Sequence, residues 1–299
     1  MTTGHERLLR RYRTHLVAEL GRSRLTEETY LPLCERFCAW LECRGLEVGT
    51  VSRRTCEEFI VDERGEGKET RTIAKEMSAL RSFFRFLVLE GVRPDNPLEE
   101  MDAPRISRTL PRVLEEEEVE ILLEAVDTAP PEGMRDRCLL EVLYSCGLRV
   151  SEACGLDLQD IFLSEGFVKV RGKGEKERLV PFGKEAGHWM RRYLSEARPV
   201  LAARRPGSRE QAVFLNRWGR RLSRKGAWIR LKRLVAASGV DAKLHTFRHT
   251  CATHLLHGGA NLREVQEFLG HADISTTQIY THVDARRLAS YHHMYHPRG

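Results

Sequence analysis

Residues 245–283 read HTFRHTCATHLLHGGANLREVQEFLGHADISTTQIYTHV. His245, Arg248, His271 and Tyr280 all fall inside this block. His245 and Arg248 stand three apart, so on a helix they share one face. Leu244 and Phe247 beside them would anchor that helix in a core and fix the geometry of the pair. Asp273 and Ser275 are of the helix-capping kind and precede the segment that carries Tyr280. The short link from Gly270 would let Tyr280 move relative to His271. Basic donors around a tyrosine suit one chemistry. The donors neutralise a phosphate oxygen, and the hydroxyl attacks phosphorus to form a covalent intermediate.

Working outward, Arg149 lies in CGLRVSE and Lys173 in VRGKGEKERLVP. Taken singly, each candidate is ordinary. An arginine or histidine after a glycine is often a solvated dipole partner at a helix end. A lysine between two glycines is a turn residue, and a lone tyrosine is usually a core or rim aromatic. Around Lys173 the helical pattern stops. IFLSEGFVKV alternates apolar and polar residues, and GKGEKERLVP turns back into Leu179 and Val180. That predicts a strand, a glycine-bearing turn and a strand over 161–182.

Upstream the pattern is helical. Leu8, Leu9, Tyr12, Leu16 and Leu20 recur at helical spacing, and Gly21 stops the run. Tyr30, Leu33, Cys34, Phe37, Trp40 and Leu41 mark a second helix, with Pro32 expected to kink it. A third covers 51–63. The longest runs from Thr70 to Glu90 with Ile73, Met77, Leu80, Phe84 and Leu87 inward. Pro94, Pro97, Pro104 and Pro111 then interrupt the chain. Helices are expected again at Leu114–Ala125, from about Met134 to Cys146, and after Pro181. The fold class is therefore mainly α with a small β-sheet. A helical bundle over 1–104 is joined by a linker at 105–112 to a mixed α/β region over 113–299.

A chain of 299 residues suits two domains. Its net charge is +6, but the charge is uneven. Residues 1–104 hold 17 Lys+Arg against 19 Asp+Glu, and the remainder holds 32 against 24. A polyanionic partner would thus meet the second region first. The eight cysteines include no CxxC pair, which argues against a zinc site and for buried thiols in a reducing compartment. No apolar run approaches a membrane span, and MTTGHERLLRRYRTHL lacks a secretory core. A cytoplasmic location is expected.

The strings GLRVSE, GKGEKERLVP, HTFRHTCATHLL, FLGHADISTTQIYTHV and HPR, in this order, resemble the tyrosine site-specific recombinases of the phage integrase family, most closely the bacterial Xer type. The ending MYHPRG looks nearer the D-type paralogue than the C-type. The resemblance implies a helical, SAM-like DNA-binding domain over 1–104 and a catalytic domain over 113–299. It also implies a six-residue catalytic set: Arg149, Lys173, His245, Arg248, His271 and the nucleophile Tyr280. Elementary chemistry fits these roles. Two guanidiniums can clamp the nonbridging oxygens, and arginine stays charged at any working pH. The histidines can donate to the same phosphoryl group or move the nucleophile's proton. A lysine on a hairpin can protonate the leaving 5′ oxygen. The bond is exchanged rather than lost, so no cofactor and no metal is expected. The 3′-phosphotyrosyl polarity comes from the resemblance alone.

Between 211 and 240 lie Arg217, Arg220, Arg221, Arg224, Lys225, Arg230, Lys232 and Arg233 with no acidic residue, interleaved with Trp218 and Trp228. These are candidate contacts to double-stranded DNA. In the first region Arg71, Lys75, Arg81 and Arg85 are the candidates. The resemblance further implies two half-sites and a Holliday junction. A paralogous recombinase would join in a cyclic heterotetramer, and a tail from about Asp284 would dock on the neighbouring subunit. The cellular task it implies is chromosome-dimer resolution at cell division, with a septal DNA translocase as partner. A phage or integron integrase, a type IB topoisomerase and a DNA-binding protein without catalysis are the rival readings.

Overall fold

The computed structural model describes every residue except 1–2, 21–23, 103, 105–111, 173–176 and 271–281; side chains at 3, 24, 25 and 282–287 are likewise not described. The chain divides into two units, Met1–Thr109 and Leu110–Gly299, each with its own core. All but residue 112 of the expected linker lies outside the described residues.

The first unit holds α1 (Thr3–Thr14), α2 (Arg24–Glu42), α3 (Arg53–Gly65) and α4 (Thr70–Leu89) around one core. A π-helical turn at His15–Glu19 extends α1. Pro32 sits inside α2, which continues on to Glu42. Ser52 caps α3 by accepting from the Thr55 amide at 3.2 Å, which explains the start of that helix. The expected stripe Ile73, Met77, Leu80, Phe84 and Leu87 is buried, so α4 is the central helix of the core. Its opposite face leaves Arg71 and Lys75 exposed.

The second unit carries α5 (Glu116–Glu124), α6 (Pro131–Cys146) and α7 (Val150–Gly155). Next come β1 (Ile161–Phe162), β2 (Phe167–Arg171) and β3 (Glu177–Pro181). After the sheet follow α8 (Lys184–Arg192), α9 (Arg198–Ala203), α10 (Arg224–Ser238), α11 (Leu244–His257), α12 (Leu262–Leu269) and α13 (His282–Tyr295). The sheet is antiparallel in the order β1-β2-β3. This corrects the expectation of one strand over IFLSEGFVKV. Ser164, Glu165 and Gly166 form a turn, closed by the Gly166 amide on the Phe162 carbonyl at 2.9 Å. Phe162 and Phe167 thereby become register partners. The expected hairpin tip at 173–176, with Lys173, lies outside the described residues.

Helix α6 is buried on almost all sides and organises the unit. Tyr144 donates its hydroxyl to His254 Nδ1 at 2.7 Å, while His254 Nε2 donates to the Leu114 carbonyl at 2.9 Å. The carbonyl can only accept, so the ring proton sits on Nε2 and the tautomer is set. The Leu114 amide in turn donates to Thr250 Oγ1 at 3.0 Å. The start of the unit is thus tied to α11.

Candidate active site and nucleic-acid interface

Gly147 ends α6 in the left-handed conformation at φ 57. A Cβ there would stand 2.5 Å from Leu269 Cδ2 and 3.1 Å from Cys251 Sγ. Only glycine fits this pinch between α6, α11 and the end of α12, and the tight exit delivers Arg149 to the first position before α7. The Arg149 amide donates to Glu152 Oε2 at 2.8 Å and its Nη1 donates to Oε1 at 2.9 Å. Its side chain remains 44% exposed, so the rest of the guanidinium faces solvent.

Arg248 lies on the inward side of α11 and is only 4% exposed. It donates from Nη1 to the Gly147 carbonyl and from Nη2 to the Leu269 carbonyl, each at 2.6 Å. Burial first, then the nearby Arg149 charge, pulls its pKa down from 12.5 to about 10. It still carries its proton at neutral pH. It forms no ion pair with a carboxylate among the described residues. Glu152 offsets part of the positive charge of Arg149 and Arg248, and the excess that remains makes a site for an anion. His245 is exposed in the first turn of α11, three residues before Arg248, with the His249 ring 4.4 Å from its own. Arg149, His245 and Arg248 thus sit on α11 and the α6–α7 turn that packs against it. Lys173, His271 and Tyr280 lie outside the described residues.

Two residues of this region were not singled out in the sequence. Glu152 holds Arg149, and Arg178 on β3 forks onto Glu152 with Nη1–Oε1 at 3.0 Å and Nη2–Oε2 at 3.1 Å. Burial alone would raise the Glu152 carboxyl, but the Arg178 fork and the Arg149 bonds outweigh it and hold it below the usual carboxylate range. The signals were present. A Glu three residues after a pre-helical residue is capping-box spacing. In ERLVP, Arg178 falls on the same strand face as the buried Val180.

The basic segment divides in two. Arg217, Arg220, Arg224, Lys225, Lys232 and Arg233 are exposed. Trp218 and Trp228, 59% and 51% exposed, lie under Arg217 (4.2 Å) and Lys232 (5.4 Å). Arg221 instead donates to the Cys154 and Leu156 carbonyls at 3.0 and 3.3 Å and pairs with Asp157. Arg230 pairs with the buried Asp136 at 2.7 Å. In the first unit Arg81 donates to the Leu98 and Met101 carbonyls, and Arg85 pairs with Glu99 at 3.2 Å. These four cations are wholly or partly engaged within the protein.

The tail packs on the unit that carries it. Leu288, His292 and His296 are buried, and Arg298 pairs with Glu120 at 2.7 Å. His292 donates from Nε2 to the Ser145 carbonyl at 2.9 Å and stacks between Phe268 and His296. Burial lowers its pKa from 6.5 to about 4. A histidine kept neutral in the fold takes its proton only when released, so the docked tail is stable above about pH 6.5 and loses stability as pH falls toward 4. The protection of the amides in residues 288–296, taken relative to intrinsic exchange at each pH, should therefore fall between pH 7 and pH 5. The loss at pH 5 is about 2 kcal/mol if His292 alone titrates. Protection that does not change with pH would refute this.

The Phage integrase family description matches residues 112–287, and its N-terminal SAM-like domain matches residues 9–91. Tyrosine recombinase XerD of Pseudomonas aeruginosa is 43% identical over the whole of both chains. XerD of Listeria innocua is 44% identical, covering 95% of this chain and 96% of its own. A XerH site-specific recombinase, solved bound to palindromic difH in a post-cleavage complex, superposes with a TM-score of 0.69 at 23% identity. That match covers 96% of this chain and 83% of the other. The fold is thus that of DNA strand-transferring recombinases. The chain belongs to the phage integrase family of tyrosine recombinases, with the XerD type as its kin. It is an enzyme of site-specific recombination, cutting and rejoining DNA by transesterification. Among the described residues, no helix is long and apolar enough to cross a membrane.

Proposed function

We propose that the protein binds a short duplex site of two half-sites and exchanges its strands through a Holliday junction. Tyr280 attacks the scissile phosphorus and holds the DNA as a 3′-phosphotyrosine. Arg149 and Arg248 clamp the nonbridging oxygens, and His245 and His271 donate to them or accept the tyrosine proton. Lys173 protonates the departing 5′ oxygen. The reverse attack by a 5′ hydroxyl restores the backbone. The observation that carries this reading is the Arg248 guanidinium. It is buried, anchored on two carbonyls and placed against Arg149 with no carboxylate partner among the described residues. A phosphodiester would complete this excess of positive charge.

The exposed cations of 217–233 with Trp218 and Trp228, and Arg71 and Lys75 on α4, supply the phosphate contacts. Domain boundaries at 1–104 and 113–299, joined by the linker at 105–112, divide the work between grip and chemistry. The likeness to XerD relatives supports chromosome-dimer resolution; a cytoplasmic setting, a cyclic heterotetramer with a paralogous recombinase and a septal DNA translocase belong to the same reading. In that assembly the tail leaves its place on its own unit and docks on the neighbouring subunit. The test is trapping. A nicked synthetic site should give a wild-type band that survives a denaturing gel. Silence across a panel of sites, with and without a paralogue, would leave a DNA-binding protein without catalysis.

Lys173→Ala should slow cleavage of an ordinary 5′-oxygen linkage by about 10²–10⁴-fold, the usual worth of a positioned acid. A 5′-thio linkage should cleave at nearly the wild-type rate, because a thiolate leaves without a proton. Equal losses on both linkages would remove Lys173 from the acid role.

A further inference from the structure

We propose that Arg178 is a positioning residue for this reaction, setting Arg149 through Glu152; the proposal rests on the recombinase reading above. Arg178 is 9% exposed and both of its terminal nitrogens are spent on Glu152. Each Glu152 oxygen receives one bond from Arg178 and one from Arg149. The carboxylate is therefore a shared anvil: remove the buried fork, and the half-exposed Arg149 is held by a group free to rotate. The other side of the guanidinium faces Gly270. A Cβ at Gly270 would stand 2.9 Å from Arg178 Nε and 3.0 Å from Cζ, and Gly270 adopts φ 67. One residue earlier, Arg248 holds the Leu269 carbonyl. Arg178 Nε itself makes no hydrogen bond among the described residues, so its contact with Gly270 is close packing that leaves room only for glycine. Arg178 is also the second residue of β3, two positions beyond the segment 173–176 that contains Lys173.

Stability alone is a poor reason for the arrangement. A buried ion pair barely repays its desolvation, and apolar residues of like volume often serve as well. What the fork gives is a fixed orientation, which lysine cannot reproduce.

The experiment uses the full chain on the nicked site, comparing wild type, Arg178→Lys and Arg178→Met. DNA affinity, thermal unfolding and the rate of covalent-adduct formation are measured. The rate is taken with an ordinary phosphodiester and with a methylphosphonate at the scissile position. The expected result is unchanged affinity with an adduct rate lowered on the order of 10²-fold, the scale of an ångström-sized misplacement. On the methylphosphonate one nonbridging oxygen and its charge are gone, so the clamp matters less and the deficit should shrink below about tenfold. Equal deficits on both linkages would mean a purely structural role and overturn the proposal, as would wild-type rates in Arg178→Lys. Should Arg178→Met fail to fold, Arg178→Lys carries the test. Absence of adduct with wild type itself would overturn the recombinase reading, and is recognised before any variant is compared.

Discussion

Tyr280→Phe should hold a two-half-site duplex as tightly as wild type and leave no protein–DNA band on a denaturing gel. The substitution removes one oxygen. Affinity for DNA comes from cations meeting phosphates, and none of those cations changes. The covalent step, by contrast, has no substitute for the lost nucleophile, so adduct yield should fall by at least about 10⁴-fold. The competing tyrosines are poorly placed to rescue it. Tyr291 donates its hydroxyl to the Asn261 carbonyl at 3.3 Å, and burial followed by Glu264 pushes its pKa up. Tyr295 packs edge-on against Tyr291 at 4.7 Å. An undiminished band from Tyr280→Phe would nevertheless move the nucleophile to one of them.

Arg248→Ala should lose both cleavage and stability, and both losses trace to one guanidinium. Losing one preorganised donor to developing charge costs on the order of 10²–10³-fold in rate. In addition, the Gly147 and Leu269 carbonyls lose their donors, at about 1–3 kcal/mol for each if no water replaces it. Arg248→Lys separates the effects. It keeps a positive charge and a donor, so folding should largely recover while cleavage stays low for want of the fork. The check is thermal unfolding beside single-turnover cleavage. Cleavage that recovers together with stability in the lysine variant would show that Arg248 acts only as a strut.

Much of this was readable in the sequence, and the failures share a cause. The stripe on α4 and the helix bearing His245 and Arg248 follow from spacing, because burial follows a periodicity that residue types display. Strand–turn–strand was expected over 161–182. The extra turn at 163–166 was missed because Phe162 and Phe167 keep the alternation going across it. Arg81, Arg221 and Arg230 are named as DNA contacts because they are basic, and the sequence does not reveal the acceptors each also meets inside the protein. Arg221 is claimed by carbonyls at the end of α7, where helical partners run out, and Arg81 by those of the turn at Leu98–Met101. Glu152 and Arg178 escaped for the converse reason. Each reads as a surface charge until the fold brings 152 and 178 together in the interior.

The shared carboxylate has a wider meaning. Arg149, Arg178 and Arg248 converge on a region where Glu152 is the main negative charge among the described residues, so without DNA the site is held against its own repulsion. The substrate supplies the missing anion and in doing so relieves that stress. DNA is then a folding ligand as much as a reactant. At a hundredfold excess over its dissociation constant, a ligand that binds only the native state adds about 2.7 kcal/mol. A chain tuned this way is most durable where its work is, on the chromosome, and most fragile when adrift from it.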